Sequence, residues 1–314
     1  MSSREALTEA ITNIKRQRDA IILAHNYQLP EVQDIADFSG DSLELSRKAA
    51  ANDSRVVVFC GVHFMAETAA LLSPDKTVLL PDENAGCPMA DMVTPGILAE
   101  LKQQHPDAAV VCYVNSTAEV KAQSHVCCTS ANATEIVDRI PRDREVIFVP
   151  DQYLAGHVER TLNRKLITHP GYCPTHARIL KEHIDRAREQ HPGAPVMVHP
   201  ECRAETCLAA DEVLSTGGMV RFARETARNT VIVGTETGLI HRLEKENPGK
   251  RFVPLLDQAV CPNMKLITLE KVLRSLETLT PRVQVPVAVG EAAKRAITRM
   301  LDGWSPARGE SIDA

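Results

Sequence analysis

Three cysteines of this chain, Cys87, Cys173 and Cys261, each stand directly before a proline, in "AGCPMADM", "GYCPTHAR" and "AVCPNMKL". None of the other six cysteines does. The intervals between the three are 86 and 88 residues, so the thiols look like one position repeated in three copies of a unit. Proline fixes φ near −65°, suits the first turn of a helix and disfavours αR in the residue before it. Each cysteine is therefore expected at a helix N-terminus, where free amides and the dipole lower a thiol pKa. Thiolates so placed bind metal. Structural zinc takes four ligands, commonly from Cys-x2-Cys pairs, and no such pair is present. Three isolated thiolates suit a [4Fe–4S] cluster with one iron left open, a Lewis acid for a substrate hydroxyl or carboxylate. The plainer reading is three buried turn cysteines that bind nothing; the repeat favours the cluster.

Polar residues recur at the same spacing. One set is His25, Asn26 and Tyr27 in "HNYQ", Tyr113, Asn115 and Ser116 in "YVNS", and His199 and Glu201 in "HPE". Another is Ser42 in "GDS", Ser130 in "TSAN", and Ser215 and Thr216 in "STGG". His176 lies three residues past Cys173. A serine after a strand is often a plain N-cap, but a cap hydroxyl beside free amides also binds carboxylate or phosphate. Lys265 would add positive potential near an anion. His63, His157 and His241 fall outside these phases and read as ordinary structural histidines.

The elements that must position these groups also repeat. β-branched runs at 55–59, 145–149 and 230–233 each precede a helical stretch, then a second run at 77–80, 165–168 and 251–254, then the Cys-Pro. Beyond each cysteine a helix leads to another strand. Thr94 with Pro95 reads as cap and first turn, and Ala177, Leu180, Ile184 and Ala187 form an apolar stripe. At the amino terminus Ser2 and Glu5 are spaced as a capping box, with Leu7, Ile11 and Ile14 behind them. Alternation of short apolar runs with helical periods predicts βαβ units and parallel sheet. The fold class expected is α/β: three homologous αβα, Rossmann-like units about a pseudo-threefold axis, with thiols and polar strand tips meeting in a central cavity. The units would be 1–86 completed by 264–314, 87–172 and 173–263. The tail helix in "VPVAVGEAAKRAITRMLDGW" is expected to pack on the first.

Composition narrows the classes. With 44% apolar and 25% charged residues the chain is globular rather than disordered. A net charge of −5 and the lack of a basic run give no reason to expect nucleic acid or an anionic membrane as partner. There is no apolar signal region and no stretch of ~20 apolar residues. A cytoplasmic protein is expected, in which nine cysteines are not a disulfide framework. Cys60, Cys112, Cys127 and Cys128 read as buried small hydrophobes, and Cys202 and Cys207 as buried thiols. Neither G-x-G-x-x-G nor G-x-x-x-x-G-K-[ST] occurs, so dinucleotide and P-loop readings have no support.

"AIILAHNYQLPEVQDIADFSGDSLELSRKA", "GVHFMAETA", "YVNSTAEVKA", "TSANA", "HPEC", "STGGM" and "CPNMKLITL" together resemble the quinolinate synthase family over nearly the whole chain. That resemblance implies three αβα domains about a pseudo-threefold axis and a [4Fe–4S] cluster on Cys87, Cys173 and Cys261. It implies condensation of iminoaspartate with dihydroxyacetone phosphate to quinolinate, with loss of phosphate and water, in NAD biosynthesis. Iminoaspartate would come from an aspartate-oxidising enzyme. His25, Tyr27, Ser42, Tyr113, Asn115, Ser130, His176, His199, Glu201, Ser215 and Thr216 would surround the substrates. Tyr27 and Glu201, with His25 and His199, are the groups expected to take part in catalysis. Some relatives carry Cys-x-x-Cys-x-x-Cys around the last ligand; here Cys261 stands alone. Two other readings stay open: another cluster-dependent hydro-lyase on a small hydroxy acid, and a non-catalytic iron–sulfur sensing module.

Overall fold

A computed structural model describes residues 3–304. Ser2, the cap of the expected Ser2–Glu5 capping box, lies outside them. The chain forms three four-stranded sheets, every pairing within them parallel. The first holds β1 (Ala20–His25), β2 (Phe38–Gly40), β3 (Val56–Cys60) and β4 (Thr77–Leu79), in the order β2-β1-β3-β4. The second holds β5 (Ala109–Tyr113), β6 (Val126–Cys128), β7 (Val146–Val149) and β8 (Ile167–Thr168), ordered β6-β5-β7-β8. The third holds β9 (Val196–Val198), β10 (Glu212–Val213), β11 (Thr230–Gly234) and β12 (Arg251–Pro254), ordered β10-β9-β11-β12. One topology therefore occurs three times, with helices on the sheets. The residues of β3, β5 and β7 are buried throughout, as expected of parallel strands covered on both faces.

Two details depart from expectation. Each sheet has four strands where the sequence pattern shows three. The extra members, β2, β6 and β10, are two or three residues long, too short to display a period of two. The Cys-Pro sites also do not open α-helices. Each begins a single turn, 3₁₀ at His176–Arg178 and Met264–Leu266, and the α-helix starts eight residues past the cysteine, at Pro95, Lys181 and Leu269. The turn still presents amides. Ala90, His176 and Met264, each three residues on, donate their N–H to the sulfurs of Cys87, Cys173 and Cys261.

Each cysteine loop is fastened to its sheet by one repeated bond. His63 N–H donates to Ala85 O (2.7 Å), Gln152 N–H to Gly171 O (2.8 Å) and Thr237 N–H to Ala259 O (3.0 Å). The acceptor is always two residues before the cysteine. The C-terminal part returns to the first unit through Leu269–Thr278, which packs on Ser3–Arg18, and through residues 281–283, which bond along β4. The tail helix Val287–Asp302 instead spans a seam. It lies mainly on Ala118–Ala122 and β6 of the second unit and also touches His63–Leu72 of the first. No helix among the described residues is long and apolar enough to cross a membrane.

Candidate active site

The carboxyl ends of the strands and the three Cys-Pro turns open onto one cavity of about 160 Å³, comparable to an engineered cavity of ~150 Å³ that takes a benzene-sized guest. The tips of β1, β5 and β9 enter it in the same way. His25 Nδ1 accepts from Tyr27 N–H (3.2 Å) and His199 Nδ1 from Glu201 N–H (3.3 Å), while Tyr113 and Asn115 hold the matching positions of the second unit. A strand-end turn that folds residue i back over the amide of i+2 aims both side chains inward.

A continuous chain of hydrogen bonds crosses the cavity wall. Tyr27 OH lies 2.6 Å from Thr235 Oγ1 and 3.3 Å from His176 Nε2, and His176 Nε2 lies 2.8 Å from Thr235 Oγ1. The other ring nitrogen, Nδ1, is 2.7 Å from Glu201 Oε2 and 3.2 Å from Cys173 Sγ. Facing a carboxylate and a thiol, Nδ1 carries the hydrogen, and Nε2 accepts from a hydroxyl. Glu201 Oε1 accepts from Tyr113 OH (2.7 Å) and, at 3.5 Å, from Asn115 Nδ2. The chain thus runs Tyr27, Thr235, His176, Glu201, Tyr113.

Burial and these partners set the protonation states. Desolvation pushes His25 and His199 down to about 3, only partly offset by the charge of Glu201, so both imidazoles are neutral. Burial also opposes ionisation of Glu201, but His176, His199 and Tyr113 outweigh it and bring the carboxyl down to about 2. Since His199 is neutral, the His176 and Tyr113 donors do this work at pH 7. Tyr27 and Tyr113 are raised well above the usual phenol range by burial and by Glu201, and stay protonated. The thiols contradict the helix-terminus expectation. Their turn amides favour the thiolate, yet desolvation wins and pushes Cys87 up to about 12 and Cys173 and Cys261 upward as well.

A family model described as Quinolinate synthetase A protein matches residues 9–302. The chain belongs to that family. Among its relatives, the quinolinate synthase of Dehalococcoides mccartyi strain CBDB1 is 57% identical over 298 residues, covering 95% of this chain and 98% of that protein. The quinolinate synthase of Methanoregula boonei is 53% identical over 301 residues, covering 96% and 99%. That of Thermus thermophilus is 52% identical over 301 residues, covering 95% and 97%. Quinolinate synthases are enzymes, and so is this chain.

Of the residues singled out in the sequence, His25, Tyr27, Ser42, Tyr113, Asn115, Ser130, His176, His199, Glu201 and Thr216 line the cavity together with all three cysteines. Ser215 does not. Its Oγ caps the helix Thr216–Glu225 by accepting from Gly218 N–H at 3.2 Å. Ser42 is not the cap of its own helix; Asp41 is, in a capping box with Glu44. Thr216 Oγ1 accepts from Asn26 Nδ2 (2.9 Å), and Ser130 Oγ stands 3.2 Å from His199 Nε2. Lys265 is spent elsewhere, bonding Tyr27 O (2.5 Å) and the fully buried Glu236 Oε1 (2.9 Å). Cys202 and Cys207 donate to backbone carbonyls as free thiols, and Cys60, Cys112, Cys127 and Cys128 are buried in strands.

Sequence reasoning missed Thr235, Glu236 and Asp151. Glu236 and Asp151 occupy the same position in two units, just past β11 and β7; Glu236 Oε1 accepts the backbone N–H of Cys261 at 3.1 Å, and Asp151 Oδ1 accepts from Tyr153 and Leu154 N–H at the start of the helix Gln152–Leu162. In the first unit Val62 stands there, which is why the repeat did not advertise an acid. The donor set fits a cluster. Three thiols from three units face one cavity, each sulfur takes an amide hydrogen bond, and the Cys261 loop is held by the buried carboxylate of Glu236.

Proposed function

We propose that this enzyme condenses iminoaspartate with dihydroxyacetone phosphate to quinolinate, with loss of phosphate and water, in NAD biosynthesis. Cys87, Cys173 and Cys261 are the residues that would hold a [4Fe–4S] cluster. When bound, its open iron supplies a Lewis acid for a substrate hydroxyl or carboxylate. The observation that carries the reading is the hydrogen-bond chain joining Tyr27 to Glu201 through both nitrogens of His176.

That chain gives each end a role. Glu201, ionised at neutral pH, takes a proton; Tyr27, protonated, gives one. His176 joins the two and holds them in place. Its Nδ1–H is donated to Glu201 while Nε2 accepts from the Thr235 or Tyr27 hydroxyl. Ketone isomerisation and imine closure each need an acid and a base within such reach. His25 and His199, neutral and anchored through Nδ1, turn Nε2 toward the cavity as hydrogen-bond donors to anions. Ser42 and Thr216 stand in the first turns of ten-residue helices, where amides and dipole favour carboxylate or phosphate. Iminoaspartate is unstable in water, so an aspartate-oxidising enzyme would supply it.

The test is turnover by the cluster-reconstituted enzyme under anaerobic conditions. Quinolinate and inorganic phosphate should appear in equal amounts only when both substrates are present. Failure to release phosphate from dihydroxyacetone phosphate in the presence of iminoaspartate would leave a different hydro-lyase as the answer.

A further inference from the structure

Cys173, His176 and Glu201 bring three kinds of metal donor together before any metal is present. The Sγ, Nδ1 and carboxylate oxygen all lie within 4.8 Å of one another. Nδ1 is the hub, 3.2 Å from the sulfur and 2.7 Å from Glu201 Oε2. In tetrahedral zinc, bonds of about 2.0–2.3 Å place neighbouring donors roughly 3.3–3.6 Å apart. A cation entering here would therefore move Nδ1 away from the sulfur and the carboxylate oxygen by only about half an ångström each, with the sulfur and that oxygen, within 4.8 Å of each other, adjusting to the same separation. Cys173 and His176 share one turn, and Glu201 extends from the tip of β9.

The surroundings already match what such a site needs. His176 Nε2 is 2.8 Å from Thr235 Oγ1, so once a cation takes Nδ1 the ring hydrogen moves to Nε2 and is donated to that hydroxyl. Glu201 Oε1 remains fixed by Tyr113 OH at 2.7 Å. The thiol proton leaves to solvent. A divalent cation with one thiolate and one carboxylate is then electrically neutral, which suits a buried position. The mixed sulfur and nitrogen set selects a borderline cation over magnesium or calcium, which take oxygen ligands. Three protein ligands with a fourth position facing the cavity is the arrangement of an open rather than a closed zinc site.

We infer that the cluster-free enzyme binds one divalent cation of the zinc class at Cys173, His176 and Glu201, and that this cation and the cluster exclude each other because both require Cys173. The exclusion rests on the cluster reading above; the cation site does not.

The test uses the full-length metal-free chain, kept reduced and anaerobic and checked for folding by circular dichroism, titrated with Co²⁺. One Co²⁺ per chain should give thiolate charge-transfer and intense tetrahedral d–d bands, removed by Zn²⁺ and unaffected by Mg²⁺. His176→Ala and Glu201→Gln should each weaken binding at least tenfold, as expected for lost ligands. Cys87→Ser and Cys261→Ser should leave the bands intact. Zn²⁺ added before reconstitution should lower iron incorporation in the unsubstituted enzyme. The inference is overturned if no bands appear, if Cys87→Ser or Cys261→Ser abolishes them, or if His176→Ala binds Co²⁺ unchanged. Full iron and sulfide in reconstituted Cys87→Ser would instead refute the cluster reading while leaving the cation site standing.

Discussion

Acidification should destabilise the metal-free chain well above the pH at which carboxylates titrate, because two histidines are buried neutral. His25 and His199 are 5% and 3% exposed, and each commits Nδ1 to a backbone amide, so neither can take a proton without losing that bond. Burial holds both at about 3, against 6.5 in an unfolded chain. The native state favours the neutral ring. The stabilisation is therefore complete above pH 6.5 and is lost progressively as the pH falls toward 3. Each histidine contributes a slope of about 1.4 kcal/mol per pH unit in that window. Between pH 6.5 and 5 the loss is about 2 kcal/mol per ring and about 4 kcal/mol for both, a large part of a total of about 5–15 kcal/mol. Glu201, also depressed, acts in the same direction but only below its ordinary range near 4.5. Urea unfolding midpoints at pH 7, 6 and 5 measure the slope. His157 and His169 are lowered by burial too and add to it, so the diagnostic is the variant His199→Asn, whose Oδ1 replaces the Nδ1 acceptor. It should flatten the slope by about 1.4 kcal/mol per pH unit. A midpoint that does not move between pH 7 and 5, or an unchanged slope in the variant, would refute the reasoning.

Tyr27→Phe removes one end of the proton chain but leaves the Thr235–His176 contact of 2.8 Å in place. Stability should change by about 1 kcal/mol while kcat falls by roughly 10²–10⁴-fold, read by steady-state quinolinate formation. Glu236→Gln leaves Lys265 beside a neutral group. It should cost about 3–5 kcal/mol and accelerate iron loss to a chelator, and Glu236→Gln with Lys265→Met should recover much of the stability. Ser215→Ala should lower stability by about 1 kcal/mol through the lost cap with KM for both substrates unchanged, whereas Thr216→Ala should raise at least one KM.

Much of this site was legible because the chain states it three times. Equal spacing of Cys-Pro, and of the polar residues after the first strand and before the second helix of each unit, marks the convergent tips in the sequence alone. The strands that lead to Ser42, Ser130 and Thr216 were not legible, since β2, β6 and β10 are held by pairing to β1, β5 and β9 rather than by any local pattern. Glu236 and Asp151 escaped for a different reason: the third copy of their position is Val62, so the repeat itself hid them. The thiol pKa was misjudged because a sequence displays amide donors and dipoles but not how much water burial removes, and in this cavity desolvation is the larger effect. Lys265 looked free for an anion only because its partner, Glu236, lies 29 residues away in sequence.

Cluster binding requires that three thiols distant in sequence meet at one centre. Iron and acid-labile sulfide per chain, counted in anaerobically reconstituted single Cys→Ser variants, test this most directly. About four of each are expected in the unsubstituted chain and in the variants at Cys60, Cys112 and Cys207, with near-complete loss at Cys87, Cys173 and Cys261. Retention of a full complement in any one of those last three, or loss in the other set, would contradict it.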